Sequence, residues 1–130
     1  MPVELGMRGR AAAVAAEEDT ARALGSGTVP VLATPRMIAL MEQAAVNAVQ
    51  SELPPGQTTV GTRLDVTHDA ATPVGMRVWA EAELTAIEGR KLTFAVAAFD
   101  DAGRIGGGTH QRFIIQTDKF LAKAQEKRNQ

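Results

Sequence analysis

A chain of 130 residues, 45% hydrophobic and 22% charged, suits one globular domain spanning residues 1–130 and is neither a disordered tail nor a collagen-like fibre. Its 14 basic and 15 acidic residues leave a net charge of −1, which gives no general attraction for nucleic acid, and its one Trp and four Phe are too sparse for base-stacking platforms. The absence of cysteine excludes disulfides, thiolate metal sites and cysteine nucleophiles, and two histidines are too few for a histidine-rich metal site.

No apolar run approaches the roughly 20 residues of a membrane-spanning helix. The N-terminus lacks the basic-then-apolar order of a signal peptide. The expectation is a soluble cytoplasmic protein that contacts no membrane. Residues 9–18 (GRAAAVAAEE) read as helix by their alanines or as an edge strand. Gly25-Ser26-Gly27 and Pro30 then break the chain. Thr34 fits a helix N-cap and Pro35 the first helical position. The run PRMIALMEQAAVNAVQSEL follows, stopped by Pro54-Pro55-Gly56. Between Arg36 and Glu52 its only ionisable residue is Glu42, so the helix is apolar over most of its circumference and predicted to be buried.

After Gly56 the period changes to two. Val60, Leu64, Val66 and His68 share one parity of a strand. Val74 to Ala86 alternates as a long half-buried strand, and Glu88-Gly89 turns it into Leu92, Phe94, Val96 and Ala98. Asp100 to Gly103 turns again, into Ile105 and QRFIIQ, and the tail from Asp118 reads as a short amphipathic helix. The order is thus one uncertain strand, a buried helix and four consecutive strands. That is α+β, with an antiparallel sheet curled around one helix. Its free edges and remaining apolar surface favour dimerisation.

Glu42 either pairs within the buried helix or sits at its edge and reaches water; burial would raise its pKa and poise it as a base or nucleophile. His68 is either a core histidine bonded to backbone or an acid/base group facing the helix. The Thr34 hydroxyl caps the helix, or serves a site where backbone amides hold an oxyanion. Gly61 marks a close approach, of backbone or of ligand. Gly106-Gly107-Gly108 lacks the lysine and the following helix of a phosphate loop and reads as a bulge or close approach. His110 and Arg112 read as cross-strand pairing residues.

Three stretches, PVLATPRMIALMEQAA, VGTRLDVTHDAATPVGM and FDDAGRIGGGTHQRF, together resemble the hotdog-fold thioesterases of the fluoroacetyl-CoA thioesterase type. The likeness runs from about Gly25 to the end of the last strand. It implies a curved antiparallel sheet around a long helix, in dimers or in tetramers built from them. It also implies hydrolysis of a small or short-chain acyl-CoA, with Thr34, Glu42 and His68 catalytic and Gly61 and Arg112 contacting the substrate. CoA enters as part of the substrate, with no separate cofactor or metal. The family's phenylalanine-containing lid before the threonine is replaced here by GSGTVPVLA, which implies an acyl group other than fluoroacetyl. A hotdog hydratase would need an aspartate–histidine motif that the chain lacks. The non-enzymatic alternative is a dimer that binds an acyl ligand without hydrolysing it. Thr34 and Glu42, eight residues apart on one helix, are separated by about 12 Å along its axis. They cannot both reach one carbonyl carbon: either the substrate spans that distance or a dimer brings together groups from two subunits, and the expectation is a site at the dimer interface.

Overall fold

The computed structural model describes residues 2–130. Strand β1 (Arg8–Val14) leads through a 3-10 turn and the short helix α1 (Ala21–Leu24) into helix α2 (Thr34–Val49). Strands β2 (Gln57–His68), β3 (Arg77–Glu88), β4 (Lys91–Asp100) and β5 (Gly103–Gln116) follow, then helix α3 (Thr117–Gln125). One antiparallel sheet of order β1-β3-β4-β5-β2 holds all five strands, and α2 packs on β1, β3 and β4. This is the α+β hotdog arrangement expected from the sequence. The ambiguous segment resolves as a strand, β1, on the sheet edge. Among the described residues no helix is long and apolar enough to cross a membrane.

Helix α2 buries Met37, Leu40, Met41, Ala44, Ala45, Ala48 and Val49. They meet the inward residues Val78, Ala80, Ala82 and Leu84 of β3 and Leu92, Phe94, Val96 and Ala98 of β4 in one core. Ala39, Gln43 and Asn47 carry the solvent face. Two details of the helix differ from expectation. The N-cap is Ala33, without a side-chain cap bond, and Thr34 and Pro35 occupy the first two helical positions. Thr34 is therefore not a cap, because its hydroxyl is engaged by His68 instead. At the other end α2 stops at Val49 and its continuation tightens into a 3-10 turn over Gln50–Glu52, before the prolines are reached.

Three bulges set which side chains face the helix. In β2, Gly61 opposes Arg112 and Arg63 opposes Gln111, so Thr62 is an extra residue. Thr59 and Gly61 face inward before it; Leu64, Val66 and His68 face inward after it. The single parity expected for Val60, Leu64, Val66 and His68 is thus broken at Thr62, and Val60 belongs to the other face. In β5, Ala98 opposes Gly106 but Phe99 opposes Arg104, so Ile105 is extra. A third irregularity lies between Leu84 and Ala86. The glycines at 106–108 are close-approach positions: a Cβ on Gly106 would meet Met37 Sδ at 3.0 Å and one on Gly108 would meet Val66 Cα at 2.8 Å.

The helix sits low on β1 because Gly9 has no side chain. A Cβ there would lie 2.9 Å from Ala48 Cα and would also strike the backbone of Ala44. Neither obstacle can rotate away. Gly9→Ala is expected to destabilise the fold by about 1–3 kcal/mol through overpacking, read as a lowered urea midpoint with an unchanged m-value.

Candidate active site

Helix α2 runs alongside β2 and meets it at eight-residue spacing. The Thr34 hydroxyl lies 2.7 Å from His68 Nδ1. Glu42 Oε2 lies where a Cβ on Gly61 would approach to 2.6 Å. Gln50 donates to the Gln57 carbonyl at 2.9 Å and accepts from the Thr58 hydroxyl at 2.8 Å. The first two meetings are the two ends of the candidate site; the third anchors the helix.

The Thr34–His68 end is built by the segments on either side. Ala33 N donates to the Asp19 carbonyl at 2.8 Å and Leu32 N to the Thr72 carbonyl at 2.9 Å, which fixes the entry to the helix. The buried Thr72 hydroxyl donates to Asp100 Oδ2 at 2.7 Å, tying that segment to the β4–β5 hairpin. Beyond His68, the amides of Asp69 and Ala70 both reach the Ile105 carbonyl. An open pocket of about 310 Å³ results, lined by Thr34 and His68 on one side and by Ser26, Gly27, Val29 and Leu32 on the other. His68 Nε2 is buried and has no hydrogen-bond partner among the described residues. A ring whose Nδ1 is held by a hydroxyl and whose Nε2 is uncommitted can serve as base or acid toward a bound group.

The Glu42 end is a network. Arg112 is 6% exposed. Its Nε donates to the Thr59 hydroxyl at 2.8 Å and its Nη2 to the Thr59 carbonyl at 3.0 Å. Its Nη1 donates to Glu42 Oε2 at 3.3 Å and to His110 Nε2 at 3.1 Å. The other ring nitrogen, Nδ1, lies 2.8 Å from the Arg63 carbonyl. A carbonyl only accepts and a guanidinium only donates, so His110 carries its proton on Nδ1 and is neutral. Burial lowers its pKa from the ordinary value; the Arg63 carbonyl opposes this, the Arg112 charge adds to it and the Glu42 charge opposes it. Burial also lowers the pKa of Arg112, against the charge and hydrogen bond of Glu42. The Glu42 side chain keeps 40% of its exposure. It therefore stands at the helix edge and is paired as well, so both of its alternative sequence readings hold in part. It is a carboxylate held from behind and open in front.

Of the five residues singled out by sequence, the fold joins Thr34 with His68, and Glu42 with Gly61 and Arg112. It does not join the two groups within one protomer, since α2 is a single helix and keeps Thr34 and Glu42 about 12 Å apart along its axis. Sequence reasoning missed His110 and Thr59. His110 turns inward only because of the extra residue at Ile105; continued without it, the hairpin register would place Thr109 opposite Phe94 instead of His110.

The chain is similar to known thioesterases. The family described as fluoroacetyl-CoA-specific thioesterase matches residues 15–118. A fluoroacetyl-CoA thioesterase of Streptantibioticus cattleyicolor is 47% identical over 97 residues, 75% of this chain and 70% of that protein. The solved structure of the fluoroacetyl-CoA thioesterase FlK superposes with a TM-score of 0.92 at 39% identity, covering 98% of each chain. A variant of FlK in complex with fluoroacetate and CoA gives a TM-score of 0.85 at 40% identity, covering 91% of this chain and 99% of that one.

The buried neutral His110 has a consequence for stability. Its folded pKa lies below the 6.5 of the free side chain. Between those two values the unfolded chain binds more protons than the folded one, so stability falls as pH drops below about 6.5 and levels off once the folded pKa is passed. His110→Gln, which cannot titrate, should flatten part of that slope in denaturant melts between pH 5 and 7.5.

Proposed function

The chain belongs to the fluoroacetyl-CoA-specific thioesterase family, and from that premise we propose that it hydrolyses a small or short-chain acyl-CoA to the free acid and CoA. The observation that carries the reading is the Thr34–His68 pair, set in a pocket with His68 Nε2 unpartnered. Thioester hydrolysis needs an attacking group, stabilisation of the carbonyl oxygen and a proton for the leaving thiolate. Glu42 acts as general base on water or attacks directly to form a mixed anhydride. When the Thr34 hydroxyl donates to Nδ1, His68 carries its proton on Nε2 and offers it as a hydrogen-bond donor to the substrate; a proton passes to the thiolate sulfur only from a ring protonated on both nitrogens, whose Nδ1–H then donates to the hydroxyl. When the ring donates to the hydroxyl, Nε2 is the base. Gly61 leaves room for the carboxylate and the acyl group on β2, and Arg112 pairs with the carboxylate from behind.

The segment Gly25 to Ala33 forms one wall of the pocket and carries no aromatic side chain. We infer that fluoroacetyl is not the preferred acyl group. The panel that tests this runs from acetyl- and fluoroacetyl-CoA to aromatic and long-chain acyl-CoAs, with thiol release as the readout. Turnover of a short-chain member, lost by at least about 100-fold in Glu42→Ala with its fold intact, is expected. Tight binding without turnover of any member would make the protein a ligand-binding dimer instead.

The separation of the two groups is resolved by placing the site at a homodimer interface. Strand β2 is a sheet edge of 12 residues without proline, and its inward Leu64 is 37% exposed. Such an edge is a template for a second copy. Two-fold antiparallel pairing of β2 edges carries the Gly61 end of one strand toward the His68 end of the other. It thereby brings Glu42 toward Thr34 and His68 of the partner subunit. Co-expressed Thr34→Ala and Glu42→Ala subunits should then form mixed dimers with one working site of two, whereas each variant alone stays inactive. Confirmed mixed dimers without recovered turnover would reject the shared site.

A further inference from the structure

We propose that His110 is a positioning residue for the hydrolysis, holding Arg112 against Glu42 as a neutral imidazole. The proposal rests on the reading of Glu42 as the reacting carboxylate and names what aims it. His110 is fully buried. Both ring nitrogens are spent within the chain, Nδ1 on the Arg63 carbonyl and Nε2 on Arg112, so the ring does not touch substrate. Its effect passes through the guanidinium.

The geometry is specific about what the ring does. Thr59 fixes two sides of Arg112, at Nε and Nη2. Nη1 has two hydrogens: one goes to His110 Nε2 and the other to Glu42 Oε2. With His110 accepting the first, the second points at the carboxylate. The charged groups facing the ring are Arg112 from β5 and Glu42 from α2; β2 contributes the Arg63 carbonyl and β4 the Phe94 ring, its centroid 6.4 Å away. An imidazolium would set N–H against N–H and release the guanidinium from this position. A ring without nitrogens would leave both Nη1 and the Arg63 carbonyl short of a partner.

The test compares wild type, His110→Phe, His110→Gln and Glu42→Ala on whichever acyl-CoA the wild type turns over fastest. His110→Phe is expected to lower kcat about 10- to 100-fold while KM stays within a factor of three. His110→Gln can accept from Arg112 and donate to the Arg63 carbonyl, and should recover most of the lost kcat. A His110→Phe protein of native thermal stability with wild-type kcat, or a folded Gln variant as slow as the Phe variant, would overturn the proposal. If Glu42→Ala retained turnover, the reading of Glu42 would fail first; loss in Glu42→Ala without loss in His110→Phe would sink the role of His110 alone. Should the Phe variant not fold, histidine 15N shifts of the wild-type enzyme decide. A neutral ring protonated at Nδ1 at pH 7.5 is required, and a ring protonated at Nε2, or charged, refutes the arrangement.

Discussion

The low seat of α2 on the sheet governs the rest of the molecule. Where the helix passes β1 the two backbones come close enough that Gly9 leaves no room for a Cβ against Ala48. The residues that α2 turns downward over its second half, Ala44, Ala45 and Ala48, are accordingly small, following the larger Met37, Leu40 and Met41 of its first half. Close packing of this kind lets a helix of 16 residues bury an apolar stripe over three strands. It also fixes the height and direction of the flank that overlooks β2. Thr34, Glu42 and Gln50 meet their strand partners at heights that the β1 contact sets from the opposite side.

On that flank a carboxylate survives beside an apolar core because its burial is incomplete and its counter-charge is anchored. Breaking a buried ion pair by removing one partner costs far more than the pair contributes. Here the buried partner is the arginine, and the acid keeps access to solvent. Arg112 has acceptors on three sides from Thr59, His110 and Glu42, so its charge is solvated by the protein itself. The group left open to solvent is the one whose desolvation is mild.

Much of this was legible in the residues. The single ionisable position in an otherwise apolar helix marked both α2 and Glu42. The two-residue period over Val78–Leu84 and Leu92–Ala98 marked the inward sets of β3 and β4, while the extra residue at Thr85 moves Ala86 off the face expected for it. The shared motifs brought Thr34, Glu42 and His68 together as a group. What could not be read was the count of residues across pairings. One extra residue at Thr62 moves Val60 off the face that carries Leu64, Val66 and His68, and one at Ile105 turns His110 and Arg112 toward the helix. A bulge leaves no mark on an alternation until the opposing strand is known, and a one-residue shift reverses every later side chain. The cap was misplaced by one residue for a related reason: Thr34 has a partner 34 positions away that no local rule contains. The alanines of β1 satisfied either period, and only the need of Gly9 to lie under the helix separates them.

The wall of the Thr34–His68 pocket is assembled from material of very different cost to alter. One side is the start of α2 and the end of β2, braced by Asp100, Thr72 and Asp19. The other is the stretch from Arg22 to Pro30, every residue of which is exposed. It is joined to its surroundings by a few main-chain bonds, such as Leu24 N to the Thr20 carbonyl and Ser26 N to the Ala21 carbonyl. Those bonds place few demands on side-chain identity. Drift in this stretch therefore changes the shape of the pocket while leaving the core and the Thr34–His68 pair untouched. Selection on pocket shape and selection for a stable fold thus act largely on separate residues, although Arg22, paired with Glu17, and Gly25, the left-handed cap of α1, also serve the fold.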